Sequence, residues 1–159
     1  MALTLADAAA TEAAGAALAQ ALPRHTSLLI TLAGELGSGK TTFARGLLRA
    51  LGVAGTIRSP SYTLIEPYET AAGPVHHLDL YRLRRAGELE ALGYRDLRAL
   101  PGWVMVEWPE RAGSALGAAD VAITLEHLET GRRLTAHVGQ HLKIPPYLAE
   151  MLELSAVRR

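Results

Sequence analysis

The stretch "GELGSGKTTFARG", residues 34–46, decides the fold. Gly34, Gly39, Lys40 and Thr41 fit the pattern G-x-x-x-x-G-K-[ST]. With Gly near ~7%, Lys near ~6% and Ser plus Thr near ~12% of residues, a random chain of this length matches about 0.5% of the time. The flanks sharpen the signal. Upstream, "SLLITLA", 27–33, is a short apolar run with β-branched members and reads as a buried strand. Downstream, Phe43, Ala44, Leu47, Leu48 and Leu51 line one face of a helix over 40–51. Gly52 stands where a helix C-terminal glycine belongs.

A glycine loop between a strand and a helix suits one ligand class, the phosphate chain. Glycines admit backbone torsions that side chains forbid. The N–H groups of Glu35, Leu36, Gly37, Ser38 and Gly39 can then converge as an anion nest. The helix start adds free N–H donors and the positive end of its dipole. Lys40 places a cation on the outer phosphates, Thr41 offers a hard hydroxyl oxygen to Mg²⁺, and Thr42 donates to the innermost phosphate. The competing reading is a plain glycine turn capping a helix. It leaves Lys40 without a purpose, since lysine rarely enters a core unpaired.

Around this loop the chain alternates strands and helices. An Ala-rich amphipathic helix is predicted over 5–22, with Thr4 and Asp7 spaced as its cap and Pro23 stopping it. "YTLIEPYE", 62–69, and "PVHHLDLYRL", 74–83, read as strands around a turn at Ala72–Gly73. A short helix over 86–100 is broken by Gly93, and "GWVMVEW", 102–108, is an apolar strand ended by Pro109. "DVAITLEHL" and "RRLTAHVG" flank "ETG" as a hairpin, and a short helix is predicted over 146–155. The pattern predicts an α/β sandwich whose central sheet is partly parallel and partly antiparallel. One domain spans 1–159: the N-terminal helix 5–22, a nucleotide-binding core 27–111, and a C-terminal hairpin and tail 118–159. Strand order is not legible at this level.

Composition removes whole classes of function. Apolar residues make up 49% of the chain, enough for a real core. Acidic and basic side chains balance at 16 each, so no global charge draws the chain to DNA or a membrane. Without cysteine there are no disulfides, thiolate zinc sites or cysteine nucleophiles. Without asparagine there is no Asn-Lys-x-Asp motif to read guanine. The apolar N-terminus has no Lys or Arg before Arg24 and is interrupted by Asp7 and Glu12, so it fits neither a signal peptide nor a membrane span. A soluble, cytoplasmic protein is expected.

A Mg–nucleotide site also needs carboxylates at neighbouring strand ends. Glu107 closes the apolar run 103–106, and Asp79 closes 75–78. Which one would hold the metal and which would orient water stays open. His76 and His77 are adjacent in a strand, point to opposite faces and cannot chelate one ion, so both read as structural. "SPSYTLIEPY", 59–68, lies between the loop helix and Asp79, where phosphate-loop proteins keep a γ-phosphate-sensing switch. Arg58, Ser59, Ser61 and Thr63 supply the polar groups.

Together "GELGSGKTTFARGLLRALG", "SPSYTLIEPY", "HLDLYRL", "ELEALGYRDL" and "VMVEWPER", in this order over about 31–111, resemble the bacterial TsaE (YjeE) family. The last third of the chain matches that family only in shape. The resemblance implies a three-layer P-loop NTPase-like fold that binds ATP and Mg²⁺ and hydrolyses ATP slowly. It implies action with TsaD and TsaB, which transfer threonylcarbamoyl to N6 of adenosine 37, with tRNA met indirectly through that complex. It carries over Lys40, Asp79 and Glu107 as the catalytic set. Thr41 and Glu107 become Mg²⁺ ligands, and Asp79 the Walker-B-type acid near the attacking water or a metal-bound water. Ser59, Pro60, Ser61, Tyr62, Thr63 and Trp108 become switch or partner residues, and Arg132 a contact near the nucleotide. Ser61 departs from the Thr common in the family but keeps a hydroxyl. Two rivals are a nucleoside or small-molecule kinase, for which the 52–102 insert is too short, and a nucleotide-gated binding module without turnover.

Overall fold

The computed structural model describes residues 3–144 together with the backbone of 155–156. Alternation along β2 (Leu28–Ala33) sends Leu28, Ile30 and Leu32 to one side and Leu29 to the other, and all four are buried. A strand buried on both faces belongs inside a parallel sheet. Accordingly β2 lies between β5 (Trp103–Glu107) and β6 (Val121–His127), parallel to both. Beyond β5 come β4 (Gly73–Asp79), parallel to it, and β3 (Ile65–Thr70), antiparallel to β4. Beyond β6 comes the antiparallel β7 (Arg132–Val138). Its outer edge is shared by β1 (Leu3–Leu5) and β8 (Ser155–Ala156). The eight-stranded sheet runs β1-β7-β6-β2-β5-β4-β3, with β8 beside β7. Its parallel centre and antiparallel flanks are those that the strand–helix alternation and the terminal hairpin predict.

Helices cover both faces. On one, α1 (Ala8–Ala21) and α2 (Lys40–Ala50) bury Leu18, Phe43, Leu47 and Leu48 against Ile30, Trp103 and Met105. On the other, α3 (Glu88–Ala91), α4 (Tyr94–Ala99) and 3-10 turns at Pro109–Arg111 and Gly113–Leu116 bury Leu89, Tyr94 and Leu116 against Leu29, Val104 and Val106. Helix α2 stops as its glycine suggests. Gly52 N–H donates to Arg49 O at 3.0 Å and Val53 N–H to Leu48 O at 3.1 Å, the paired bonds of a Schellman motif. Among the described residues, no helix is long and apolar enough to cross a membrane.

Several boundaries move. Helix α1 begins at Ala8 instead of residue 5, because residues 3–5 pair with the free edge of β7. Thr4 therefore lies opposite Arg133 in the sheet, and Asp7 alone caps the helix, its carboxylate accepting Ala10 N–H at 2.8 Å. The strand predicted from 62 starts at Ile65, after a turn that Leu64 N–H closes on Pro60 O at 2.7 Å. The strand predicted to reach 83 stops at Asp79, and the 102–108 strand shortens to 103–107. As the sequence predicts, Gly93, in the left-handed region, breaks the 86–100 helix, leaving Glu88–Ala91 and Tyr94–Ala99. Of the helix predicted over 146–155, residues 146–154 lie outside those described, and Ser155 is in β8.

Helices α1 and α2 touch backbone to backbone. A Cβ at Gly15 would collide with Phe43 O, and one at Gly46 with Glu12 O. Arg45 and Glu12 add an ion pair at 3.2 Å on the rim of that contact. Inside a helix, Gly→Ala ordinarily gains ~1 kcal/mol. Here overpacking reverses the sign, and Gly46→Ala should destabilise the fold by about 1–3 kcal/mol in a thermal or urea melt. A stabilised Gly46→Ala variant would contradict this packing.

Candidate functional site

The register of β4 with β5 builds the site. It sets Val75 opposite Trp103, His77 opposite Met105 and Asp79 opposite Glu107. Trp103 and Met105 belong to the core beneath α1 and α2. Period-two alternation then puts Glu107, His77 and Asp79 on that same face. The carboxyl ends of β2, β5 and β4 thus lie side by side, with the start of α2 above them, where open α/β sheets place their ligands.

Between β2 and α2 the loop turns through left-handed torsions, φ 76° at Gly37 and 105° at Gly39. Lys40 is buried, and its Nζ donates to Gly34 O at 2.6 Å and Glu35 O at 2.8 Å. The same ammonium lies 3.8 Å from the centre of the Trp108 ring. Burial pulls its pKa below the usual lysine value, while the charges of Glu107, Glu110 and Asp79 pull it back upward. Trp108 itself adopts a left-handed backbone, φ 59° and ψ 51°, and its ring packs on Tyr81 at 5.0 Å. That conformation costs energy in a non-glycine residue and concentrates at functional sites.

The acids stand close to the loop. Thr41 Oγ1 is 3.1 Å from each oxygen of Glu107. Glu107 Oε1 also meets His77 Nε2 at 2.8 Å. Asp79 accepts the Ser59 hydroxyl on Oδ2 and Tyr81 N–H at 2.9 Å on Oδ1. Glu107 and Asp79 are only 2% and 4% exposed, and among the described residues neither has a Lys or Arg at ion-pair distance. Such carboxylates favour a cation nearby, and the hydroxyl and carboxylate oxygens suit a hard one.

A cleft of about 440 Å³ opens between the loop, Trp108 and the 59–62 turn. The predicted site residues line it, except Gly34, Glu35, Ser38, Arg58, Pro60 and Thr63. Gly34 and Glu35 act through their carbonyls, which hold Lys40. Ser38 N–H donates to Glu35 O at 3.1 Å, and its buried Oγ has no partner among the described residues. Arg58, Pro60 and Thr63 border a neighbouring hollow on the other side of the same turn. Arg132 opens β7, and its guanidinium stands where a Cβ on Gly39 would lie.

Three residues of this site, Tyr81, Arg82 and His77, are not among those the sequence assigns to the nucleotide site; His77 reads there as structural and Arg82 as a surface or partner-facing residue. Tyr81 and Arg82 line the cleft, with Arg82 4.4 Å above the exposed Tyr62 ring. His76 and His77 do point to opposite faces, yet His77 touches Glu107. Its spacing, two residues before Asp79, was the available signal.

The family model described as "Threonylcarbamoyl adenosine biosynthesis protein TsaE" matches residues 5–135. The tRNA threonylcarbamoyladenosine biosynthesis protein TsaE of Haemophilus influenzae is 37% identical over 115 residues, 71% of this chain and 73% of that one. The protein of the same name from Synechocystis sp. is 45% identical over 111 residues, 67% and 69% of the two chains. Among solved structures, Bacillus subtilis YdiB superposes with a TM-score of 0.72 at 26% identity, over 96% of this chain and 93% of that one. The chain therefore belongs to the TsaE family of threonylcarbamoyl adenosine biosynthesis proteins.

Proposed function

We propose that this protein is a Mg²⁺-dependent ATPase of tRNA N6-threonylcarbamoyladenosine biosynthesis, slow by itself and acting in the cytoplasm with TsaD and TsaB. The observation that carries the reading is the Thr41–Glu107 contact, a hydroxyl 3.1 Å from both oxygens of a buried carboxylate at the mouth of a glycine loop. Magnesium rarely has an all-protein cage and is usually held by one or two carboxylates plus substrate phosphates. Among the described residues, no group of three or more His, Cys, Asp or Glu side chains could hold a metal alone. Thr41 and Glu107 would hold the ion with the nucleotide, and the ion would supply charge neutralisation on the phosphate oxygens.

In this reading the chain does the rest by position. The N–H groups of the loop and of the first turn of α2 bind the phosphates. Lys40 turns its ammonium from the carbonyls of Gly34 and Glu35 to the outer phosphates. The Trp108 ring shields Lys40 from water, and Arg132 brings a second cation over Gly39. Asp79 orients the attacking water through a carboxylate oxygen. Each of its oxygens already accepts one donor, and while the Ser59 hydroxyl stays on Oδ2 it draws charge from the oxygen that water would share. A carboxylate tied up in this way fits slow turnover by the isolated chain. Tyr62 and Tyr81 are exposed on the cleft rim with Arg82 and Arg111 against their rings. Aromatic and arginine side chains are the usual anchors of protein interfaces, so partner contact there can reach Ser59. The balanced charge of the chain supports indirect rather than direct contact with tRNA.

Lys40→Ala removes a charge-assisted contact of about 1.5–3 kcal/mol and should weaken ATP binding at least ~10-fold in calorimetric titration. Unchanged affinity would contradict the phosphate site. Glu107→Ala should cut Mg²⁺-dependent hydrolysis by more than ~10-fold, the lower end of what losing an outer partner of a metal costs. ATP binding in EDTA should stay near wild type. Normal turnover would remove Glu107 from the site.

A further inference from the structure

His77 is fully buried on β4 between Val75 and Asp79, which share its face. Its Nε2 is 2.8 Å from Glu107 Oε1, and its Nδ1 is buried with no hydrogen-bond partner among the described residues. A buried polar atom without a partner is a cost that an apolar side chain of similar size avoids. Packing alone therefore does not account for a histidine here, whereas its contact with Glu107 does. An ionised carboxylate only accepts, so the hydrogen of this pair sits on Nε2. The ring donates it to Oε1 and is itself held by the walls of the core.

The consequence falls on Glu107. Its side chain has several rotatable bonds, and a metal ligand free to rotate loses that freedom on binding. The bond from His77 fixes Oε1, and with it the carboxylate orientation that brings both oxygens to 3.1 Å from Thr41 Oγ1. We propose that His77 is a positioning residue that holds Glu107 in the orientation needed to bind Mg²⁺ beside Thr41. Outer partners of this kind orient metal ligands and change metal affinity 10–100-fold when lost. The inference rests on the Mg–ATP reading of the cleft.

The test is a Mg²⁺ titration of the full chain with ATP bound, followed by tryptophan fluorescence, on wild type, His77→Leu and His77→Gln. His77→Leu should raise the Mg²⁺ concentration needed by about 10–100-fold. ATP binding in EDTA should be unchanged, and the melting temperature of the ligand-free chain unchanged or higher. His77→Gln keeps an N–H donor on a side chain of similar reach and should recover most of the Mg²⁺ affinity. Wild-type Mg²⁺ dependence in His77→Leu would overturn the inference. So would equal losses in both variants that extend to melting temperature and to ATP binding in EDTA, since these mark a packing role. Failure of the wild-type chain to bind ATP would instead overturn the nucleotide reading itself, and this inference with it.

Discussion

The rest of the site depends on the in-register parallel pairing of β4 with β5. That pairing puts Asp79 opposite Glu107 and sends both, with His77, to the face beneath α2. A one-residue slip of β4 would turn Asp79 and His77 to the other face of the sheet, away from Glu107, and put Leu78 in their place. The register is held by apolar side chains on both faces, Val75, Trp103 and Met105 on one, Leu78, Val104 and Val106 on the other. The position of the polar groups is thus a by-product of hydrophobic packing several residues away. The glycine contacts between α1 and α2 complete the arrangement by holding Lys40 and Thr41 above the same strand ends.

The polar residues clustered there are expensive to bury. Lys40, Asp79 and Glu107 are nearly inaccessible, and Ser38 and His77 each hold a buried atom without a partner among the described residues. A chain selected only for stability would fill such positions with apolar side chains. A bound phosphate chain and a divalent cation would supply partners to Lys40 and to the two acids. This gives the polar cluster a physical purpose under the function proposed above. Trp108 and Ser59 add conformational control. The first holds a strained backbone to cover Lys40, and the second hydrogen-bonds the Asp79 carboxylate proposed to orient water.

Much of this was legible in the sequence because it is local. The strand 28–33, the helix after the glycine loop, its Gly52 stop and the two hairpins all follow from periodicity or turn chemistry within a few residues. Strand β1 was not, since three residues carry no period and their pairing is decided by the open edge of β7, about 130 positions away. The late start of β3 was hidden in the positive φ of Leu64, which its side chain does not signal. In the site, Glu107 announced itself as a charge ending an apolar run, and Asp79 as a charge ending the less apolar run 75–78. His77 carried the right spacing, but its contact with Glu107 becomes visible only when β4 is known to neighbour β5, and strand order is a tertiary fact. Arg132 meets Gly39 across the sheet in the same way.

Under the function proposed above, the cleft hydrolyses ATP for a partner pair that reaches it through its rim. The most direct test is the rate of ATP hydrolysis by this protein alone, with TsaD and TsaB added, and by the pair without it. Slow turnover alone and a rise when the pair is present are expected, as contact at the 59–63 turn loosens the Ser59 bond to Asp79. An identical rate with and without the pair, in a chain that binds ATP, would contradict this reading.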